Sequence, residues 1–536
     1  MENFLYPLAY GGLLLSAAVY FFLKERQHAA GFARNSFFVS GLLYFLSLFF
    51  NDGGIMYDLL GVLTPDLAIL TVVILIFNRL APRPKILYFS IFAVIAGLKL
   101  FFFDASREAV VNYFTSEDTQ VESNEVIIEK VIIGEKEEAV IPSNLSQNGE
   151  LLLDLNMADK DAIVPVLEKY NLSIRRAFPE LQHDEYSELE EYYVVDIPTF
   201  QLKNMDAIIG DLKGSGAVDY LENNEILELP NNPTTAFDVT PNKPSFGIND
   251  PSVKDLWGFE KMGVAQMYAT LKEQKPKKKA KIVILDTGVE ADHEDITDNY
   301  LSIEKKSDYD KLGHGTHCAG IAAAVTNNGK GIASFSPNSE FVSVSSIKVL
   351  NDAGFGSQES VIGGIIKAAD QGADVISLSL GGPSNDAHQK AYSEAVKYAN
   401  KAGAIVVVAA GNSNKNAKDF SPANAEGVIT VSAIAPDLSI APFSNHVQDM
   451  KMGIAAPGVK IFSTYPKGTY KFLNGTSMAT PYVAGLLGVM KSLNPELDTK
   501  AAYEILNSTG KELEAGDKAG NFIQADKAVS AILEDE

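Results

Sequence analysis

The stretch Ile282-Val283-Ile284-Leu285-Asp286-Thr287-Gly288 decides how the chain is read: four unbroken apolar residues, three of them β-branched, run into an acid and a Thr-Gly turn. A run that is apolar on every residue predicts a strand covered on both faces, the kind found in parallel sheets. Similar runs recur at 341–348, 375–380, 405–409 and 428–433. Helical patterns lie between them at 315–325, 358–371 and 387–402. Strands alternating with helices predict a doubly wound parallel α/β domain over residues 250–536. In such sheets functional groups collect at the carboxyl ends of the strands, where Asp286 falls.

Two later segments complete a chemical set. Gly313-His314-Gly315-Thr316-His317-Cys318-Ala319-Gly320 and Asn474-Gly475-Thr476-Ser477-Met478-Ala479-Thr480-Pro481 each open into a helical pattern. A serine hydroxyl is a weak nucleophile and needs a base within hydrogen-bond reach. Imidazole suits that task near pH 7, and a carboxylate is needed to hold its tautomer and stabilise the imidazolium. Taken singly, Asp286 reads as a strand-end cap and Ser477 as a helix N-cap. Taken together, in the order Asp…His…Ser with all three flanking motifs, they resemble the subtilisin-like serine proteases, with the His-Gly-Thr-His-Cys-Ala-Gly form of the proteinase K-like branch. The resemblance runs from about 250 to 531.

The resemblance implies Asp286 as the orienting acid, His314 as general base and acid, and Ser477 as nucleophile. The first histidine of the motif is the base in that family, which leaves His317 structural. Asn412, after the apolar run 406–410, is implied as an oxyanion donor beside the Ser477 amide. Gly354-Phe355-Gly356 and Ser379-Leu380-Gly381 resemble the two edges that flank an added substrate strand, with Ala410 and Gly411 walling the first specificity pocket. Cys318 would sit beneath the base as a small core residue. Asp295 and the loop carrying Asn327 resemble a calcium site, since carboxylate, amide and carbonyl oxygens suit that ion. Its first ligand, ordinarily from the start of the catalytic segment, has no evident counterpart.

Upstream, residues 149–230 show the order βαββαβ, a ferredoxin-like α/β-plait, with strands at 151–155, 172–178, 192–197 and 218–229 and helices at 159–170 and 204–212. A plait directly before such a catalytic domain resembles the family's inhibitory propeptide, whose last strand occupies the active site. Residues 231–249 hold three prolines and read as a connector. Residues 104–148 read as an acidic juxtamembrane linker.

Residues 1–103 differ in kind. Apolar stretches at 4–23, 33–50, 59–77 and 86–103 are each long enough to cross a bilayer as a helix. That segment has five acids and seven bases, a balance of +2, within a 536-residue chain whose total is −23. The bases Lys24, Arg26, Arg34, Arg79, Arg83 and Lys85 fall in the first and third loops, and Asp52 and Asp58 in the second. By the positive-inside rule the first and third loops are cytoplasmic and everything after residue 103 lies outside. The expectation is a multi-pass cell-membrane protein with an exported, self-inhibited endopeptidase acting on protein or peptide substrates. A membrane sensor whose output is regulated proteolysis is the alternative. The acidic balance argues against a nucleic-acid partner, and one cysteine excludes an internal disulfide framework.

Overall fold

The computed structural model describes residues 150–229, 246–384 and 390–534. The four apolar stretches, the juxtamembrane linker and most of the connector lie outside the described residues. Among the described residues no helix is long and apolar enough to cross a membrane.

The first sheet is built from β1 (Leu151–Leu155), β2 (Ser173–Arg176), β3 (Tyr192–Asp196) and β4 (Val218–Asn223), in the order β2-β3-β1-β4. All its pairings are antiparallel. Helices α1 (Val164–Tyr170) and α2 (Met205–Gly214) cover one face. Their Leu167, Ile208 and Leu212 close a core with Leu151, Leu153, Tyr193 and Val195. The helix expected over 159–170 begins as a 3-10 turn at Lys160–Ile163 before α1 takes over, with a proline in the first turn of α1, where its missing N–H costs nothing.

The strand expected over 218–229 is in fact two. β4 stays in the first sheet, whereas β5 (Ile226–Glu228) leaves it and pairs antiparallel with β8 (Phe355–Ser357) of the catalytic region. Asn224 makes the break. It is fully buried, its N–H donates to Glu150 O at 3.1 Å, and its Oδ1 accepts the Glu359 N–H at 3.0 Å. Its backbone bonds the first sheet and its side chain bonds the catalytic region, which holds the turn between two sheets.

The catalytic region has a seven-stranded parallel sheet in the order β17-β14-β13-β11-β9-β6-β7. Its strands are β6 (Ala280–Asp286), β7 (Val342–Lys348), β9 (Val375–Leu378), β11 (Ile405–Ala409), β13 (Ile429–Ile434), β14 (Gly453–Pro457) and β17 (Asn521–Phe522). Short antiparallel pairs flank it: β10 (Gly382–Pro383) with β12 (Phe420–Ser421), and β15 (Ile461–Tyr465) with β16 (Thr469–Leu473). The helices are α3 (Trp257–Lys261), α4 (Val264–Leu271), α5 (His314–Ala323), α6 (Gln358–Asp370), α7 (Lys390–Lys401), α8 (Thr476–Leu493), α9 (Thr499–Thr509) and α10 (Ala525–Glu534). One core lies between the sheet, α5 and α8, and a second beneath α6 and α7. Every residue of α8 is buried, so this helix is placed by packing all round, and its first turn is fixed against the ends of β9 and β11.

Candidate active site

Asp286 ends β6 with no exposure, and His314 begins α5. Gly315 lets these two ends meet: a Cβ there would lie 2.1 Å from Gly288 O and 3.0 Å from the Asp286 Cβ. The His314 Nδ1 then sits 2.8 and 2.9 Å from the two Asp286 oxygens. A carboxylate only accepts, so Nδ1 carries the proton and Nε2 is left with its lone pair. Burial disfavours the charged imidazole, but the Asp286 charge and hydrogen bond, with Asp310 behind them, outweigh it and hold His314 above its ordinary value.

Ser477 lies in the first turn of α8, 2% exposed, and its hydroxyl donates to Ser379 O at 3.0 Å. Its own carbonyl accepts from the Ser379 hydroxyl at 2.8 Å and from the Cys318 thiol at 3.4 Å. Pro481 accounts for this carbonyl being available, because position 481 would otherwise supply the helical N–H that pairs with it. Burial pushes the Cys318 thiol well up, so it stays protonated. Its sulfur lies within 4.8 Å of the Asp286 and His314 donor atoms, yet a neutral thiol is a poor metal ligand.

Asn412 follows β11. Its Oδ1 accepts from the Thr476 N–H and hydroxyl, each at 2.9 Å, and the Thr476 hydroxyl in turn accepts the Gly411 N–H at 3.1 Å. This fixes the amide so that Nδ2 faces outward beside Gly475. A Cβ on Gly475 (φ 145°) would lie 3.3 Å from Asn412 Nδ2 and 3.5 Å from the Ser477 N. Two N–H donors therefore converge on one small space next to the serine, the arrangement that stabilises an oxyanion.

The residues read as substrate edges occupy two sides of this site. Gly354, Phe355 and Gly356 form the strand edge that β5 already fills, with Leu227 opposite Gly356 and the Leu229 N–H donating to Gly354 O at 2.8 Å. Opposite them, Ser379 and Leu380 are buried beyond the end of β9, and Gly381 packs against Ser421 O. Ala410 is fully buried, and Gly411 backs onto the Phe420 ring and Asn445. His317 is elsewhere in function: fully buried, its Nε2 lies 2.9 Å from Lys471 O, and burial pushes it down to about 3, so it is neutral.

For the expected calcium site the structure changes the residue list. Asn327 Oδ1 accepts the Asn249 N–H at 3.1 Å, so Asn327 is turned away from Asp295. Asn328 is the neighbour that reaches it, with Nδ2 2.8 Å from Asp295 Oδ1. Asp250 supplies the acid from the start of the catalytic region, and its carboxylate accepts the Asn327 N–H at 2.8 Å and the Asn328 N–H at 3.3 Å. Both acids are buried. Burial, with Asp250 adding to it, pushes Asp295 up to about 7. Burial raises both carboxyls, and two buried acids beside the 326–328 loop fit a hard divalent cation. Asp250 was not legible because the connector before it hides where the catalytic region starts. The Asp310 and Thr476 roles were also missed; each lies within four residues of a motif residue.

With this geometry in view, the chain matches the subtilase family profile over residues 277–524. It is 44% identical to thermitase of Thermoactinomyces vulgaris over 218 residues, 40% of this chain and 75% of that protein. It is 40% identical to subtilisin DY of Bacillus licheniformis over 240 residues, covering 44% and 84%. A thermophilic serine proteinase of Bacillus sp. strain AK1 is 35% identical over 294 residues, covering 54% and 67%. The chain belongs to the subtilase family. It is a serine endopeptidase with the parallel α/β fold of the subtilisins.

Proposed function

We propose that the chain is an exported endopeptidase of the cell membrane, anchored by four spans in residues 1–103 and made as a self-inhibited zymogen. Asp286, His314 and Ser477 are its triad and Asn412 its oxyanion donor. On attack the Ser477 hydroxyl turns from Ser379 O to His314 Nε2, which takes its proton as the oxygen bonds to the substrate carbonyl. The negative charge formed is met by Asn412 Nδ2 and the Ser477 N–H. His314 returns the proton to the leaving amine, and water reverses the sequence to free the acyl group.

The pairing of β5 with β8 carries the zymogen reading, because that strand edge is where an extended substrate would add. The plait of residues 149–230 also grips the two helices beside it. Asn224 caps the start of α6, Glu222 Oε1 accepts the Ala391 N–H at 3.3 Å at the start of α7, and Arg175 pairs with both Glu359 oxygens. Leu229 lies against Gly354 and so close to Leu312, two residues before His314. Leu229, the last described residue of this segment, already lies beside Leu312, which favours a cut within 230–232 over one near 235–237. Cutting there would leave all four spans on the N-terminal side, so the catalytic part would be held only by the plait's non-covalent grip.

A calcium ion held by Asp250, Asp295, Asn328 and loop carbonyls would neutralise the two buried acids and stiffen the 326–332 loop. Blotting both ends of wild type and Ser477→Ala in membranes tests the zymogen reading. Two fragments in wild type and one full-length chain in the variant are expected. A wild-type chain that remains whole while hydrolysing peptides refutes self-cleavage.

A further inference from the structure

Asp310 is 6% exposed, and its carboxylate accepts five hydrogen bonds. Oδ1 takes the Thr287 hydroxyl at 2.9 Å, the Leu312 N–H at 3.1 Å and the Gly313 N–H at 2.8 Å. Oδ2 takes the Thr316 N–H at 2.9 Å and the Thr316 hydroxyl at 2.8 Å. The Thr287 hydroxyl also accepts the Gly315 N–H at 3.1 Å. One carboxylate thus fixes residues 313, 315 and 316 on both sides of His314, and ties them to Thr287, the residue after Asp286. The N-cap position of α5 is Gly313, which has no side chain to cap with. Asp310 does that work from outside the helix, placing a negative charge at its N-terminus.

The Thr287 hydroxyl has one proton and two acceptors in reach: Asp310 Oδ1 at 2.9 Å and Asp286 Oδ1 at 3.2 Å. Donation to Asp310 is the shorter bond. It leaves Asp286 Oδ1 to accept only the Thr287 N–H and the imidazole proton. A carboxylate with fewer competing donors is the better partner for an imidazolium. The Asp310 charge also favours protonated His314 directly.

We infer that Asp310 is a positioning residue for the reaction: it holds the His314 end of α5 against the Asp286 end of β6, draws the Thr287 proton away from Asp286, and supplies a second negative charge to the imidazolium formed in the transition state. This rests on the triad assigned above. It acts through His314 and touches no substrate edge.

The test is steady-state kinetics of the full chain, with active sites counted by fluorophosphonate labelling taken to completion. Asp310→Asn keeps the shape but offers an oxygen to only one of the two donor groups. A kcat lowered about 10–100-fold is expected, with KM changed less than about two-fold, because the lost stabilisation belongs to the transition state. The acid limb of kcat/KM, which reports His314 in the free enzyme, moves to lower pH by about half a unit. Thr287→Val cuts the bridge while keeping the charge, so kcat falls and the limb stays; Thr287→Ser restores kcat. If Asp310→Asn does not fold, the Thr287 pair decides, and equal kcat for Val and Ser overturns the inference. So does an Asp310→Asn enzyme with wild-type kcat, a loss confined to KM, or an unmoved acid limb. Failure of the triad itself would show separately, as hydrolysis or labelling retained by Ser477→Ala.

Discussion

Gly475 and Asn412 show how much of the chemistry is a matter of single atoms. The two donors that face a developing oxyanion lie around the point where a Gly475 Cβ would stand. Gly475→Ala would fill that space and strain a backbone at φ 145°. Asn412→Ala would empty one side of it. Each is expected to lower kcat by about 10²–10³-fold with KM little changed, the scale found for loss of one oxyanion donor. Peptide kinetics on folded protein checks this, and a loss confined to KM would assign both residues to ground-state binding. The neighbouring histidines separate by environment. His314 faces a carboxylate, whereas His317 faces the Lys471 carbonyl with its Nδ1 buried and unpartnered among the described residues. Position in the motif singled out His314, and the partner each ring meets gives the physical reason.

At the level of elements, the proposed regulation falls on β5 and the proposed cation site on the 326–332 loop. Leu227 is 1% exposed and packs into the core beneath α6 and α7. Leu227→Ala removes burial worth about 2–3 kcal/mol, which weakens seating of β5 by tens-fold. Hydrolysis of a small peptide by uncut chain should rise accordingly; unchanged inhibition would mean that β5 does not block the edge. In the loop, a cation between Asp250 and Asp295 predicts that chelation lowers the midpoint of thermal unfolding by several degrees. Asp295→Asn should abolish that response. A midpoint indifferent to chelator would leave the loop held by its own hydrogen bonds alone.

For the molecule as a whole, the contact between plait and catalytic region buries acids beside the bases Arg175 and Lys390, which makes it sensitive to pH. Burial pushes Glu222 up to about 8 from an ordinary 4.5, with Glu225 and Asp154 adding to the rise against the Ala391 N–H and Gln358. Its Oε2 is buried with no partner among the described residues. A carboxyl whose value is raised on docking takes up a proton as it docks. Its contribution is therefore fully present below 4.5 and is lost as pH rises through about 8. Hydrogen exchange at the β5 amides of Ser477→Ala should show weaker protection at pH 8 than at pH 6, and Glu222→Gln should flatten that trend. Equal protection in wild-type sequence at both pH values would remove Glu222 from the account.

The sequence by itself determined the parallel sheet and pointed to the residues proposed to react. Runs such as 282–285 are apolar on every residue, which fits a doubly covered strand, and Asp, His and Ser each stand in a local motif at a strand end or helix start. The order βαββαβ upstream was legible for the same reason, in alternating periods of 2 and 3.6. Tertiary structure alone decided the break at Asn224, because the pattern of 218–229 is continuous and only a second sheet edge makes two strands of it. It alone turned Asn327 away and brought Asp250 and Asn328 to Asp295, since those contacts join residues 33 to 78 positions apart. It alone gave Asp310 its five donors. A polar residue in a loop carries no periodic signal, and its role is set by which backbone N–H groups folding leaves around it.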